Sequence, residues 1–320
     1  MTSSPSLPVT RAADLADVPN ARRWLIEQLW GDEAVGIVGG EPKCCKSFLA
    51  LDLAVAVASG APCVRRFAVV HPGRVLLFAA EDALHIVRQR LAGIARAAGC
   101  DLDELDIQVI TAPSVRLDVE RDRDALTATV DKLRPRLLIL DPFVRLHRID
   151  ENLSGEVAPL LAYLRELQRR YHVAVLLVHH ARKGGAKMRA GQALRGSSEF
   201  HAWGDSNLYL RRHGDQLTLS VEHRAAAAIS SVSLRLDTAD DAVALTAIDR
   251  QPVALLADAT AEITVGQRIL AELKLADAPL SATALRKRCQ LRNATLQAAL
   301  IALVADGRLR KDRAGYVVPL

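Results

Sequence analysis

A glycine-rich segment that ends in lysine and serine carries the clearest chemistry in this sequence. It reads GGEPKCCKS over residues 39–47. In such a turn the backbone N–H groups can point at a phosphate group, the lysine can reach the phosphate oxygens, and the serine hydroxyl can bind Mg²⁺. Gly40, Lys46 and Ser47 have the spacing that this chemistry needs. The segment therefore predicts a phosphate-binding loop of the Walker A type.

One position of the loop departs from that pattern. The residue before the lysine is Cys45, where a glycine is usual because it lets the backbone approach the phosphate closely. A side chain there is expected to weaken binding or to shift the loop. The alternative interpretation is an ordinary strand-to-helix turn with an incidental lysine and serine. On the first interpretation, the nucleotide-binding residues are Gly40, Glu41, Pro42, Lys43, Cys44, Cys45, Lys46, Ser47 and Phe48.

Two acidic residues follow apolar runs that suit buried strands. Residues 137–140 are apolar and lead into Asp141, which is the Walker B pattern, and residues 74–80 lead into Glu81. An aspartate at the end of a parallel strand can face the serine of the loop and hold Mg²⁺ through water. Because Pro142 leaves no acidic residue beside Asp141, the candidate base that activates a water molecule is Glu81. We expect the strand before Glu81 to lie next to the P-loop strand.

Apolar periodicity predicts alternating strands and helices before residue 200 and meandering strands after it. Strands are expected at residues 34–38, 74–80, 106–110, 136–142, 173–178, 207–210, 217–221, 232–236 and 243–248. Helices are expected at residues 21–30, 48–59, 81–98, 122–133 and 156–171. As an alternative to a catalytic role, Glu81 and Asp82 could simply complement the dipole of the helix that they begin. The pattern predicts an α/β fold with a parallel central sheet and antiparallel additions.

A basic loop that contains glycine, at residues 182–195, follows the strand that ends in His179 and His180. A loop above the carboxyl edge of a sheet suits contact with the phosphates of a nucleotide or a nucleic acid, and a solvated surface loop is the alternative. The two histidines have no third ligand at a supporting spacing, so a metal site between them is not expected.

Composition and charge limit the class of protein. The chain has 320 residues, of which 50% are hydrophobic, which favours a globular protein of about two domains. It has no apolar segment of membrane-spanning length and no secretory signal pattern, so no membrane contact is expected. Five cysteines, two of them adjacent, favour a reducing compartment over a disulfide framework, and we expect a cytoplasmic protein. The net charge of +5 belongs to residues 281–320, which carry eight basic and two acidic side chains.

This basic C-terminal region has a pattern of its own. We expect three helices, the second capped by Ser281, and then a hairpin with a basic tip, at residues 264–275, 282–289, 294–305 and 306–318. The order resembles a winged helix-turn-helix. That resemblance implies DNA binding by the third helix and the hairpin, with protein docking as the alternative. The implied DNA-binding residues are Arg292, Gln297, Arg308, Arg310, Lys311 and Arg313.

Taken in order, the motifs GGEPKCCKS, FAAED, LLILDP, VLLVHHARK and LRGSS resemble those of RecA-like ATPases of the plasmid RepA replicative-helicase type. That type belongs with the DnaB-like hexameric motors, and the resemblance covers about Trp24 to Ile248. It implies a RecA-like P-loop fold, ATP and Mg²⁺ as cofactors, and a hexameric ring that acts on DNA. It also implies a phosphate-binding lysine, two Mg²⁺ ligands, a catalytic base and a γ-phosphate sensor, which are Lys46, Ser47 with Asp141, Glu81 and His180.

The resemblance further implies a basic residue that reaches the nucleotide of a neighbouring subunit, with Arg224 as the first candidate and Arg195 as the second. The expected function is an ATP-hydrolysing DNA motor, a helicase-like replication protein of the RepA type. The alternative is an ATP-switched DNA-binding regulator with little hydrolysis, which Cys45 would allow. The expected parts are a loose head, an ATPase domain, a linker and a winged-helix domain, at residues 1–20, 21–250, 251–261 and 262–320.

Overall fold

The computed structural model describes residues 7–15, 23–180 and 199–248, apart from 215, 228, 240 and 241, together with parts of 269–317. The chain forms two compact units, Met1–Asp249 and Arg250–Leu320. The predicted linker at residues 251–261 and the basic loop at 182–195 lie outside the described residues. No helix in the described ranges has both the length and the apolar character that crossing a membrane requires.

The first unit alternates strands and helices and then continues in strands. Its strands are β1 (Trp24–Ile26), β2 (Trp30–Gly31), β3 (Val35–Gly40), β4 (Val75–Ala79), β5 (Ile107–Val109), β6 (Leu137–Asp141), β7 (Ala174–His180), β8 (Ser206–His213), β9 (Gln216–His223), β10 (Val232–Ala239) and β11 (Ala242–Ile248). Its helices are α1 (Lys46–Ser59), α2 (Leu84–Ala97), α3 (Glu120–Leu133), α4 (Ser154–Tyr171) and α5 (Glu199–Trp203). Short 3₁₀ turns occur at Ala12–Asp14, Leu102–Glu104 and Phe143–Arg145.

Nine of these strands form one sheet in the order β11-β10-β9-β8-β3-β7-β6-β4-β5. The six strands from β8 to β5 are parallel to one another, and β9, β10 and β11 extend the sheet in antiparallel pairs. The central strands β3 and β6 are buried along their whole length, as expected for parallel strands covered by helices on both faces. The predicted parallel core with antiparallel additions is therefore confirmed.

The helix predicted over residues 21–30 is wrong. Residues 24–31 form an antiparallel hairpin, in which Trp24 pairs with Gly31 and Gln28 takes a positive φ of 59° in the turn. Trp30 is fully buried, and its Nε1–H donates to the carbonyl of Ala34 at 3.3 Å. The apolar residues of the hairpin are buried on both sides, so their spacing imitated a helical stripe although two tryptophans and an isoleucine favour strands.

Two glycines let β8 lie close against β3, the strand that leads into the phosphate-binding loop and is called the P-loop strand below. A Cβ on Gly36 would stand 1.7 Å from the carbonyl oxygen of Ser206. A Cβ on Gly40, where φ is +156°, would stand 2.5 Å from the carbonyl oxygen of Leu210. The close pairing of β3 with β8 therefore requires glycine at both positions.

The second unit has an apolar cluster of its own. Its described elements are α6 (Ala282–Arg288), β12 (Arg310–Lys311) and β13 (Tyr316–Val317), and the two strands pair in an antiparallel hairpin. The Ser281 hydroxyl caps α6 by accepting the N–H of Ala284 at 3.2 Å, as predicted. The predicted helices at 264–275 and 294–305 lie partly outside the described residues, so the winged helix stays a prediction. The buried residues of the second unit's apolar cluster are Ile269, Leu270, Leu273, Leu285, Cys289, Leu296, Leu300, Leu303, Leu309 and Tyr316.

The Gly36→Ala substitution tests this sheet packing. We expect it to lower the free energy of unfolding by about 1–3 kcal/mol, because the new methyl group meets a backbone oxygen that cannot move aside. Gly155→Ala is the matched control, since a Cβ there meets nothing within 4 Å. It should leave stability unchanged or raise it by up to about 1 kcal/mol in a helix. Equal urea midpoints for the two variants would contradict the packing argument.

Candidate nucleotide-binding site

The loop between β3 and α1 has the backbone of a glycine-rich turn although cysteine stands at its last position. Cys45 is the N-cap of α1 and has φ 65° and ψ 28°, and Lys43 also has φ 65°. Such left-handed conformations cost an L-residue about 1–2 kcal/mol, which is why glycine usually occupies them. Cys45 therefore adopts the backbone conformation that glycine favours and adds a thiol to the loop.

Lys46 is held inside the loop. Its side chain is buried, its Nζ donates to the carbonyl of Glu41 at 2.8 Å, and its Nζ lies 3.9 Å from Cys44 Sγ. A buried ammonium group whose described partners are a neutral carbonyl and a thiol keeps its positive charge available to an anion. The site therefore offers a fixed cation beside the backbone N–H groups at the start of α1.

Asp141 ends β6 beside the first turn of α1. The carboxyl group is buried, and burial raises its pKa to about 6, while a hydrogen bond from Ser47 opposes that rise. The negative charges of Asp82 and Glu81 raise the pKa further, and the charge of Lys46 lowers it. The protein supplies too little positive charge to compensate this buried carboxylate, so the site favours a bound cation. Carboxylate and hydroxyl oxygens are ligands that Mg²⁺ prefers. Ser47 and Asp141 are thus brought together as predicted.

Among the described residues, no three His, Cys, Asp or Glu side chains are grouped as metal ligands. A Mg²⁺ ion at Ser47 and Asp141 would therefore complete its coordination with water and with phosphate oxygens, as it commonly does.

Glu81 lies at the site, but the strand before it does not have the predicted position in the sheet. Its strand β4 is not the neighbour of the P-loop strand, because β7 and β6 lie between them. Glu81 nevertheless lines the cleft above the loop, and its Oε1 accepts from Arg145 Nε at 2.9 Å. Helix α2 begins only at Leu84, and its first turn contains no acidic residue, so the alternative of an acidic first turn is wrong.

His180 is the last residue of β7, which is the direct neighbour of the P-loop strand. It is in register with Gly40, is half-buried and lines the same cleft. A residue at this position lies at the carboxyl edge of the sheet, which is where open α/β sheets usually bind their ligands.

These side chains surround a cleft of about 320 Å³. Eight of the predicted residues line it, namely Lys43, Cys45, Lys46, Ser47, Phe48, Glu81, Asp141 and His180. The other four predicted nucleotide-binding residues belong to the same loop, namely Gly40, Glu41, Pro42 and Cys44.

Two arginines near the cleft were missed in the sequence. Arg90 on α2 lines it, forms an ion pair with Asp82, and places its guanidinium 5.1 Å from the ring centre of Phe48. Arg212, near the end of β8, donates to Cys45 Sγ at 3.3 Å. Neither residue belongs to a motif, and only the pairing of strands and the packing of α2 on α1 bring them to the loop.

Arg224 lies at the opposite edge of the sheet. Its guanidinium is 3.4 Å from Asp205 Oδ1, and it follows His223, which pairs with Ser206 at the start of β8. Because Ser206 is in register with Gly36 of the parallel strand β3, this is the amino edge, away from the loop that follows Gly40. The structure therefore does not bring Arg224 to the cleft of its own chain. Arg195 lies outside the described residues.

The predicted DNA-binding residues are only partly described. Arg308 and Arg310 are exposed, and Lys311 belongs to β12. Arg292, Gln297 and Arg313 lie outside the described residues.

Comparison with known proteins finds a matching family model and similar solved structures. A family model described as an AAA domain matches residues 2–186. A solved structure of a DnaB-like replicative helicase, described with its interactions with primase, is similar with a TM-score of 0.52 at 14% identity. That match covers 67% of this chain and 57% of the helicase chain. The RadB recombinase structure is similar with a TM-score of 0.48 at 17% identity, covering 64% of this chain and 88% of that chain.

The likeness to the helicase concerns the fold, and with the sheet order it confirms the predicted RecA-like α/β class. The matched part spans little more than half of the helicase chain.

Asp141→Asn tests the electrostatics of the cleft. The pKa of Asp141 is about 6 in the folded protein against 3.8 in the unfolded chain, so the folded state binds more protons between these values. Stability from this group is therefore present below pH 3.8 and is lost as the pH rises to about 6. In EDTA we expect Asp141→Asn to gain stability over the natural protein as pH rises, by about 3 kcal/mol at pH 8. If the difference in stability between Asp141→Asn and the natural protein does not change between about pH 4 and pH 8, the raised pKa of Asp141 is contradicted.

Proposed function

The chain belongs to the AAA domain family, and from that premise we propose that it is an ATP-hydrolysing motor acting on DNA, a helicase-like replication protein of the RepA type. The observation that carries the ATPase part is the cleft that gathers Lys46, Asp141 and Glu81 at one edge of the sheet. The RecA-like fold and the basic C-terminal region support the DNA part.

In the proposed mechanism Lys46 and the backbone N–H groups of the loop bind the phosphates of ATP. Ser47 and Asp141 would hold Mg²⁺, which would supply positive charge to neutralise the phosphate oxygens. Glu81 accepts a proton from the water that attacks the γ-phosphate in line, and His180 contacts that phosphate. Glu81 suits this task because it lines the cleft while remaining partly exposed to water.

Arg224 is the residue that we propose to act on the nucleotide of a neighbouring subunit. It lies on the amino edge of the sheet, whereas the phosphate loop lies on the carboxyl edge. It is about half exposed and is oriented by Asp205. A ring, hexameric as in the DnaB-like motors, would bring it to the next cleft, where an arginine stabilises charge in the transition state.

Glu81→Gln and Arg224→Ala test these roles together. We expect Glu81→Gln to keep ATP binding and to lose hydrolysis by a factor of about 10²–10⁴, because only proton transfer is removed. Arg224→Ala should lose hydrolysis by about 10³ or more if it acts on the nucleotide. Each variant is assayed alone, with nucleotide affinity measured in parallel.

An equal mixture of the two variants then separates action in trans from action in cis. In a mixed ring, a subunit with Arg224→Ala keeps Glu81 and can receive Arg224 from a neighbour with Glu81→Gln. About a quarter of the interfaces then contain both groups, so about a quarter of the natural activity should return. A mixture as inactive as its components would overturn the role of Arg224 in trans.

We propose that the second unit binds DNA through its basic hairpin. Arg308 and Arg310 are exposed, and an exposed arginine can pair with a phosphate and release a counterion. In the full chain, Arg308→Gln with Arg310→Gln should weaken DNA binding and reduce the slope of log K against log salt by up to about 2. The matched control is Arg134→Gln, which removes an exposed arginine from the first unit. Unchanged binding would move the DNA site to the loop at residues 182–195.

The ATP-switched DNA-binding regulator is the second candidate function. The thiol at Cys45 favours it, because a motor usually has glycine, which has no side chain, at this position. Tight ATP binding with negligible turnover would distinguish this regulator from the motor.

A further inference from the structure

Strand β8 carries an arginine to the phosphate loop. β8 runs parallel to β3 with Leu210 in register with Gly40, so residues 211–213 extend past the end of the P-loop strand. Side chains alternate between the two faces of a strand. Leu210 packs in the same apolar cluster as Leu49 of α1, so Arg212 leaves the strand on the α1 face of the sheet. The phosphate loop begins that helix.

Arg212 contacts this loop directly. Its Nη2 donates to Cys45 Sγ at 3.3 Å, and Cys45 lines the cleft. Burial raises the pKa of the Cys44 thiol, and the charges of both Lys46 and Arg212 oppose the rise. The guanidinium therefore acts on the loop electrostatically together with the lysine.

The contact orients Arg212 without neutralising it. A thiol is a weak acceptor, so most of the guanidinium's hydrogen-bonding capacity and its full charge stay available. Arg90, the arginine that lines the cleft, is already paired with Asp82. The cleft also holds the acidic residues Glu81 and Asp141, so an incoming polyphosphate meets repulsion that a further cation would offset.

We propose that Arg212 is a further nucleotide-binding residue, which contacts the phosphates of the nucleotide in its own chain and is held beside the loop by the Cys45 thiol. The inference rests on the proposed ATP site. A glycine at position 45 would have no side chain to hold the guanidinium. The cysteine that departs from the loop pattern thus has a task, which is to keep a second cation at the phosphates.

The test measures the affinity of the full-length protein for a slowly hydrolysed ATP analogue with Mg²⁺. We expect Arg212→Gln to weaken binding about tenfold or more, the effect of losing a charged hydrogen bond. Arg212→Lys should recover part of the affinity, because it restores the charge but not the planar fork. Arg211→Gln is the matched control, because the Arg211 side chain leaves β8 on the face opposite to Arg212. We expect this substitution to change affinity less than about twofold.

The outcomes separate this inference from the proposed function. Binding by Arg212→Gln within about twofold of the natural protein would overturn the role of Arg212 and leave the ATP site intact. Equal losses in Arg211→Gln and Arg212→Gln would also overturn it, because the effect would then be structural. A natural protein that binds no nucleotide would overturn the proposed function and this inference with it.

Cys45→Ala tests the holding role in two backgrounds. If the thiol acts through Arg212, the substitution should weaken binding when Arg212 is present and have little further effect in Arg212→Gln. Additive losses in the double variant would show that the two residues act independently and would overturn the holding role.

Discussion

The site depends on the parallel pairing of β3 with β7 on one side and β8 on the other. This pairing puts His180 and Leu210 both in register with Gly40, where the phosphate loop begins. Parallel strands end at one edge, so the loop, His180 and the end of β8 meet without any long connection. Gly36 and Gly40 make the approach of β8 possible, because a Cβ at either position would meet its backbone.

A second constraint is electrostatic. The end of β6 buries Asp141 close to Glu81 and Asp82, and the cost of that burial appears as its raised pKa. Lys46 and Ser47 compensate only part of it. A site of this kind gains from a cation and from a phosphate chain together, since each offsets the charge that the other leaves exposed.

Local sequence patterns predicted the motifs, but they did not predict which strands and side chains lie beside those motifs. The strand, loop and helix around Lys46 and the strand that ends in Asp141 follow from local patterns, and the fold confirms them. The hairpin at Trp24 was mistaken for a helix because its apolar residues are buried on both sides. The position of β4 and the contact of Arg212 with Cys45 depend on strand order, which no local pattern encodes.

The central claim is that this cleft hydrolyses ATP in an oligomer that responds to DNA. The direct measurement is ATP hydrolysis by the purified full-length protein with Mg²⁺, with and without single-stranded DNA, with the mass in solution recorded alongside. The account predicts hydrolysis that single-stranded DNA stimulates, by a species of the size of a hexamer. ATP binding without turnover, in a monomer indifferent to DNA, would contradict it.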